Sequence, residues 1–349
     1  MPDRALLPDI LAALPLPALA IDRNERIVAI NDKAQSLVAI GAVGRHFVTV
    51  LRQPTLVEAV ENTLQDGKPR RAAFLAGDVG KELTFDVTLR MVETSGTLIV
   101  SFQDITHEAE AGQMRRDFVA NVSHELRTPL TALMGFIETL SGPAKDDPAA
   151  RERFLNIMSG EAERMNRLVG DLLSLSRVEA EERIKPTKSV NLTDILTITL
   201  RNLNPLAVDN DVKLEAEFGT DPLPLCGDPD QLLQVFTNLV ENAIKYGGKN
   251  NTVEIKTETS LRDPALRGPA VRVLVVDHGP GIDPVHLPRL TERFYRADSH
   301  RSRALGGTGL GLAIVKHILS RHRGRLKITS ELGNGACFMV ILPLDGAEV

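Results

Sequence analysis

Residues 118–130 read Phe-Val-Ala-Asn-Val-Ser-His-Glu-Leu-Arg-Thr-Pro-Leu, and this stretch decides how the middle of the chain folds. Its apolar residues recur at three- and four-residue intervals, which predicts a helix with one buried face. His124 lies off that face, next to Glu125 and one turn before Thr128. Pro129 has no N–H to donate, so we expect the helix to bend there. The stretch therefore displays an imidazole beside a kink.

A surface histidine usually has no special role, but an imidazole next to a carboxylate has the chemistry of a nucleophile. The neutral ring carries a lone pair near pH 7, and Glu125 can fix its tautomer and accept its proton. The stretch resembles the H-box of bacterial sensor histidine kinases. That resemblance implies that His124 is the phosphoryl acceptor, assisted by Glu125. It also implies that Thr128 orients water when the partner protein is dephosphorylated.

A second set of polar residues recurs on one face of a helix farther along the chain. The helix is expected to begin at Asp228-Pro229, an N-cap followed by Pro at the first helical position. An amide oxygen can bind Mg²⁺, and an ammonium group can neutralise phosphate. The polar face consists of Asn238, Asn242, Lys245 and Tyr246. Glu241 is expected to point away from this face.

Two glycine-rich segments follow this helix. The first, residues 277–282, reads Asp-His-Gly-Pro-Gly-Ile and comes after the apolar run Val271–Val276, which predicts a strand. Asp277 therefore lies at a strand end, where a carboxylate can accept a hydrogen bond from an adenine amino group. The second, residues 306–311, reads Gly-Gly-Thr-Gly-Leu-Gly and leads into a helix, whose unpaired N–H groups form an anion site.

Residues 292–296, Glu-Arg-Phe-Tyr-Arg, lie between the two glycine segments. Together with the polar helix face and the glycine segments, they form a series of motifs that resembles the N, G1, F and G2 boxes of the GHKL (Bergerat) ATPase fold of histidine kinases, Hsp90, MutL and gyrase. The resemblance implies ATP and Mg²⁺ as cofactors, with Asn242 as the metal ligand and Asp277 reading adenine. It implies phosphate contacts from Asn238, Lys245 and Arg296. Residues 293–309 would form a mobile lid. The implied nucleotide-binding residues are Asn238, Asn242, Lys245, Tyr246, Asp277, Gly279, Gly281, Arg296, Gly307, Thr308, Gly309, Leu310 and Gly311.

The sequence departs from this pattern in ways that bear on function. Members that hydrolyse ATP carry a water-activating Glu four residues before the metal-binding Asn, where this chain has Asn238. This favours phosphoryl transfer to a protein over hydrolysis. Thr291 stands where the family often has Phe, and Gly333-Asn-Gly-Ala336 does not end in Ser or Thr. The alternatives left open are an Hsp90-like or MutL-like ATPase and a non-catalytic dimeric scaffold.

The domain organisation follows from composition and periodicity. After the turn at residues 141–148, apolar residues recur at helical spacing from Phe154 to Leu175, which predicts a second helix and hence a hairpin. A two-helix hairpin cannot bury the apolar stripes of both helices alone, so we expect a homodimer whose hairpins form a four-helix bundle. The expected fold class is multidomain α+β. Strand patterns and the triplet Asp104-Ile-Thr106 resemble a PAS sensor domain. The predicted segments are a PAS-like α/β sensor domain at 1–106, a signalling helix and phosphotransfer hairpin at 107–180, a linker at 181–190, an α/β-sandwich ATP-binding domain at 191–343 and a tail at 344–349.

Composition excludes several other classes. Two distant cysteines, Cys226 and Cys337, exclude a disulfide framework, and a net charge of −5 gives no indication of nucleic acid binding. No run reaches the ~20 apolar residues that span a bilayer. We therefore expect a cytoplasmic protein, or the cytoplasmic part of an inner-membrane sensor if an anchor precedes this chain. The motif order resembles PhoR-type sensors and implies a response regulator receiver domain as partner, and autophosphorylation followed by phosphotransfer as the function.

Overall fold

The computed structural model describes residues 3–38, 41–78, 81–219, 221–298 and 307–344. The chain divides into two compact units, Met1–Ala120 and Asn121–Val349. The predicted segment boundaries stay predictions.

The first unit is built on an antiparallel sheet of five strands in the order β2-β1-β5-β4-β3. Its core includes three phenylalanine rings, Phe74, Phe85 and Phe102, whose centroids lie 5.5 to 6.4 Å apart. The apolar pattern predicts a strand pair within Leu14–Ile30 and strands at Leu83–Leu89 and Leu98–Asp104, which fall on β1, β2, β4 and β5. It predicts neither β3 nor the first helix. The elements are α1 (Asp3–Ala13), β1 (Ala18–Ile21), β2 (Ile27–Ile30), α2 (Asp32–Gln35), α3 (Pro54–Asp66), β3 (Arg70–Asp78), β4 (Lys81–Val92) and β5 (Thr97–Asp104).

The triplet Asp104-Ile-Thr106 is where strand β5 gives way to helix α4 (Thr106–Ser141). The backbone N–H of Thr106 donates to the Asp104 carboxylate at 2.9 Å. The N–H of Thr84 in turn donates to the Thr106 hydroxyl at 3.0 Å. Side-chain oxygens therefore satisfy backbone donors at this junction, which fixes the start of the helix to β4.

Helix α4 and helix α5 (Pro148–Glu181) form the predicted hairpin. The Asp147 carboxylate caps α5 by accepting from two backbone N–H groups at 3.0 Å. Phe136 of α4 stacks on Phe154 of α5 with centroids 5.2 Å apart. Helix α4 continues through Pro129, so the proline removes one hydrogen bond without ending the helix.

The rest of the second unit is a five-stranded sheet with helices packed on it, as the α/β-sandwich prediction required. The strand order is β11-β12-β10-β9-β7, antiparallel except for the parallel pair β7 and β9. The apolar pattern predicts a helix over Leu192–Leu203, and helix α6 continues past Leu203 because Ala207 is buried one turn later. The elements are β6 (Ser189–Asn191), α6 (Leu192–Asp209), β7 (Val212–Glu217), β8 (Pro224–Cys226), α7 (Pro229–Gly247), β9 (Asn251–Ser260), β10 (Ala270–Asp277), α8 (Gly311–Arg321), β11 (Arg325–Ser330) and β12 (Ala336–Pro343).

Helix α7 positions the candidate site because its two faces differ. Helical spacing predicts a buried face opposite the polar one, and its apolar residues Leu232, Val235, Phe236 and Leu239 are all fully buried. Their burial turns the polar face of the helix away from the core. Within the described ranges, no helix combines the length and hydropathy needed to cross a membrane.

Candidate functional site

A cavity of about 710 Å³ lies in the second unit, bordered by α7, the glycine segments and α5. Its size is that of a site for a small ligand. The cavity brings together polar residues from distant parts of the sequence, as the motif pattern predicted. The predicted residues that line it are Asn238, Asn242, Lys245, Tyr246, Asp277, Gly281, Arg296, Gly307, Thr308, Gly309 and Gly311.

Two predicted residues are not part of the cavity lining. Leu310 is fully buried. Gly279 lies so close to Gly247 that an added Cβ would be 2.7 Å from the Gly247 Cα atom. Both residues therefore serve packing around the cavity. The central part of the predicted lid, residues 299–306, lies outside the described residues.

Asp277 ends strand β10 at the wall of the cavity, and its side chain is nearly buried. Burial raises the pKa of its carboxyl group, while hydrogen bonds from the N–H groups of Gly279 and Ala336 lower it. The Gly279 N–H lies 3.0 Å from the carboxylate. Gly335 has φ 75° and packs against the Asp277 carbonyl, where a Cβ would collide with the oxygen. This close packing fixes the orientation of Asp277.

The expectation that Glu241 points away from the polar face of helix α7 was wrong. Glu241 lines the same cavity as Asn238 and Asn242. Its carboxylate also accepts a hydrogen bond from the ammonium group of Lys245, four residues later. Residues four apart lie on the same face of a helix, which explains the position of Glu241. Asn238 contributes a weak contact of 3.5 Å to the Gly311 carbonyl.

His124 is exposed on α4, and its neighbour Glu125 connects that helix to the cavity. One oxygen of Glu125, Oε2, accepts from Arg164 of α5 at 2.9 Å and from Arg296 at 3.0 Å. Arg296 lines the cavity, so the residue after the candidate phosphoryl acceptor is bonded to the wall of the candidate nucleotide site. Thr128 is exposed, and its hydroxyl donates to the His124 carbonyl at 3.2 Å.

Arg296 also retains a hydrogen-bond donor for a ligand. Its side chain is 8% exposed, and its Nε atom is buried without a hydrogen-bond partner among the described residues. A buried donor without a partner is costly, which favours an acceptor at this position. An anionic group such as phosphate satisfies such a donor well.

Helix α5 supplies residues to the site that the motifs did not indicate. Arg167, Gly170 and Asp171 line the cavity. The hydroxyl of Thr308, in the second glycine segment, donates to the Asp171 carboxylate at 2.6 Å. In the sequence, Asp171 is only one polar residue between apolar positions of a helix, so nothing there marks it as part of a site.

Two ion pairs and one histidine–carboxylate contact hold the end of α5 against the α/β part of the unit; we call this row of contacts the docked interface. Glu179 pairs with Arg293 at 2.6 Å. Glu182 lies 3.1 Å from His317. Arg321 pairs with Glu181 at 3.1 Å. These contacts fix α5 beside α8 and thereby place Asp171 at the cavity.

Comparisons with known proteins bear on the helical hairpin and on the α/β part of the chain. Residues 114–181 match the family described as His Kinase A (phospho-acceptor) domain. Residues 227–346 match the family described as histidine kinase-, DNA gyrase B-, and HSP90-like ATPase. The first match covers the hairpin that carries His124, and the second covers α7 and both glycine segments.

Similar curated proteins carry the names of sensor kinases. The sensor-like histidine kinase SenX3 of Mycobacterium bovis is 33% identical over 340 residues, which cover 97% of this chain and 80% of that protein. The phosphate regulon sensor protein PhoR of Pseudomonas aeruginosa is 42% identical over 236 residues, 68% of this chain. The aligned part covers 52% of PhoR.

One solved structure of similar fold is histidine kinase ThkA in complex with response regulator protein TrrA. Its TM-score to this chain is 0.54 at 21% sequence identity. The superposition covers 98% of this chain and 99% of that one. At this identity the similarity supports the fold alone.

Proposed function

The chain belongs to the family of sensor histidine kinases, and on this premise we propose that it transfers the γ-phosphoryl group of ATP to His124. The phosphoryl group then passes to an aspartate of a response regulator receiver domain. The observation that carries this proposal is the ion pair between Glu125 and Arg296. It joins the residue next to the acceptor histidine to the wall of the cavity.

In the proposed reaction, a ring nitrogen of neutral His124 attacks the γ-phosphorus atom. The bond from that phosphorus to the bridging oxygen breaks, and ADP leaves with the electron pair. Glu125 accepts the proton that the other ring nitrogen loses. Since Glu125 is bonded to two arginines in this structure, it has to exchange Arg296 for His124, while Arg296 turns to the phosphates.

The cavity residues divide into two groups by the part of ATP they suit. Asp277, held by backbone donors, suits the adenine amino group. Asn238, Lys245 and Arg296 suit the phosphates, together with the backbone of the second glycine segment. Tyr246 borders the nucleotide.

Mg²⁺ fits this site as an ion that enters with the nucleotide. The described residues contain no group of three or more His, Cys, Asp or Glu placed to hold a metal by themselves. Mg²⁺ commonly uses one or two protein ligands besides phosphate oxygens and water. The amide oxygen of Asn242 would be such a ligand, and the ion would neutralise charge on the phosphates.

We propose a homodimer because the hairpin exposes apolar side chains that a second hairpin would cover. Leu130, Met134 and Ile137 of α4 are about half exposed, and Leu173 of α5 is 68% exposed. A second copy would bury them in a four-helix bundle. The first unit, with its five-stranded sheet, would be a PAS-like sensor, and the reaction would take place in the cytoplasm.

Hydrolysis of ATP remains the second candidate function because Glu241 lies in the cavity. A carboxylate there can in principle activate water, as the Glu of hydrolysing ATPases does. Its hydrogen bond to Lys245 argues against this role, since the ammonium group already occupies the carboxylate. Release of phosphate without labelled protein would favour hydrolysis.

The deciding experiment is incubation of the purified chain with Mg²⁺ and γ-labelled ATP, followed by addition of candidate response regulators. We expect acid-labile, base-stable label on His124 and transfer to one regulator. His124→Ala should remove the label while ATP still binds. His107→Ala is the matched control, because His107 is an exposed histidine on the same helix, and it should keep the label. Label persisting in His124→Ala would overturn the proposal.

A further inference from the structure

Asp171 places a negative charge at the end of the cavity that suits phosphate. Its carboxylate accepts from Thr308, which lies in the glycine segment proposed to hold phosphates. It lines the cavity with Glu241 and Lys245. A carboxylate in this position is unusual for a site that receives a polyanion, because like charges repel strongly in a partly buried cavity.

The groups around Asp171 do not fully neutralise its negative charge. Burial raises the pKa of its carboxyl group, and the nearby carboxylate of Glu241 raises it as well. The Thr308 hydroxyl, Arg167 and Lys245 lower it. The ammonium group of Lys245 is itself hydrogen-bonded to Glu241. The opposite charges of Glu241 and Lys245 therefore act against each other at Asp171.

Asp171 belongs to α5 of the hairpin, whereas the other acidic residues that line the cavity belong to the α/β part. The ion pairs of the docked interface hold α5 in place, with Glu179 and Arg293 2.6 Å apart. Asp171 therefore acts on the cavity only while the α/β part is docked on its hairpin.

We infer that Asp171 is a specificity-determining residue of the nucleotide site, which weakens nucleotide binding in proportion to phosphate charge while the α/β part is docked. This rests on the proposed function of the cavity. Linkage makes the effect reciprocal: a nucleotide that binds less well to the docked arrangement weakens docking by the same factor. Nucleotide charge thus biases the chain away from the arrangement in which Arg296 is held by Glu125.

The test is Asp171→Asn in the full chain, which removes the charge and keeps an oxygen that can accept from Thr308. Titration calorimetry would compare adenosine, ADP, Mg²⁺-ATP and ATP without Mg²⁺. We expect the affinity for uncomplexed ATP to rise on the order of tenfold. The gain should be smaller for ADP and Mg²⁺-ATP, and absent for adenosine. Unchanged adenosine binding also shows that the variant pocket is folded.

The matched control is Glu163→Gln, which removes one negative charge from the exposed side of the same helix. It should leave all four affinities unchanged. Asp171→Ser, also neutral, repeats the test if the amide disturbs packing. An equal gain in Glu163→Gln, or a gain that includes adenosine, would overturn the inference.

Two further outcomes separate this inference from the proposed function. If each nucleotide binds to wild type and to Asp171→Asn with the same affinity, the inference fails and the nucleotide site stands. A loss of Mg²⁺-ATP affinity in the variant would make Asp171 a metal ligand and would also overturn the inference. If the wild type binds none of the four compounds, the proposed site fails, and the inference with it.

Discussion

Glu125 and Arg296 form an ion pair of 3.0 Å although 171 positions separate them in the sequence. The pair occupies two groups that the proposed reaction needs elsewhere: the carboxylate at His124 and the guanidinium group at the phosphates. The structure therefore has the features of a resting arrangement, from which both side chains have to move before transfer.

The first prediction concerns the carboxylate of this pair. Glu125→Gln removes the proton acceptor, so labelling of His124 should slow by about 100-fold or more. ATP affinity, measured by calorimetry, should change far less, because Glu125 does not line the large cavity. Glu138→Gln, an exposed residue of the same helix, is the control and should label at the wild-type rate. An unchanged rate in Glu125→Gln would exclude Glu125 as the base.

Thr128 leads to a prediction about dephosphorylation of the response regulator. Thr128→Ala should keep labelling of His124 and lose about tenfold or more in dephosphorylation of the regulator, if its hydroxyl orients water. Thr131 is a close match as a control, because it too is exposed and donates to the carbonyl four residues earlier, at 3.0 Å. Thr131→Ala should keep both activities. Loss of both activities in Thr128→Ala would indicate a structural role instead.

Asp277→Asn tests the proposed adenine contact. The amide can donate as well as accept, and it carries no charge, so ATP should bind about 10- to 100-fold more weakly. GTP affinity, which does not depend on an adenine amino group, should change little. Competition binding with both nucleotides measures the difference. Equal losses for ATP and GTP would mean that the variant disturbs the cavity as a whole.

The fourth prediction is a pH dependence of stability that comes from His322. This ring is buried, its Nε2 accepts from the Asp228 N–H at 2.9 Å and its Nδ1 lies 2.8 Å from the Ile318 carbonyl. Burial and the charge of Arg321 lower its pKa, against opposing effects of Ile318 and Asp228. The unfolded chain then binds more protons, so the free energy of unfolding falls below pH ~6.5, by at most ~1.4 kcal/mol per pH unit.

Denaturant unfolding of wild type and His322→Gln between pH 7.5 and pH 5.5 measures this effect. Gln can replace both hydrogen bonds without titrating, so the loss of stability on acidification should be smaller in the variant. The exposed His107 serves as control, and His107→Gln should follow the wild type. Parallel curves for wild type and His322→Gln would contradict the prediction.

The sequence predicts those parts of the fold and of the site that depend on residues close together in the chain. The polar face of α7 follows from helical periodicity alone, and Asp277 from its place at the end of an apolar strand. Glu241 was misjudged because it sits at the border of that face, where its bond to Lys245 decides its direction. Asp171 was out of reach, because only the docking of α5 brings it to the cavity.

The fold shows the same division. The apolar runs Val271–Val276 and Cys337–Leu342 predict strands, and they fall on β10 and β12, in which buried residues alternate or run continuously. Strand β3, with Ala72, Ala73 and Gly77, has little intrinsic preference for a strand and is held by pairing with β4. Tertiary pairing of this kind leaves no mark in the local sequence.

The packing of Gly335 against the Asp277 carbonyl sets a limit on how this sequence can drift. A side chain at Gly335 would collide with backbone, which cannot rotate out of the way, and φ 75° would add strain. Ala336, the next residue, departs from the family pattern without loss of its strand pairing to Asp277. Two adjacent positions therefore differ in the substitutions they tolerate. Position 336 can change during evolution, whereas position 335 has to remain glycine.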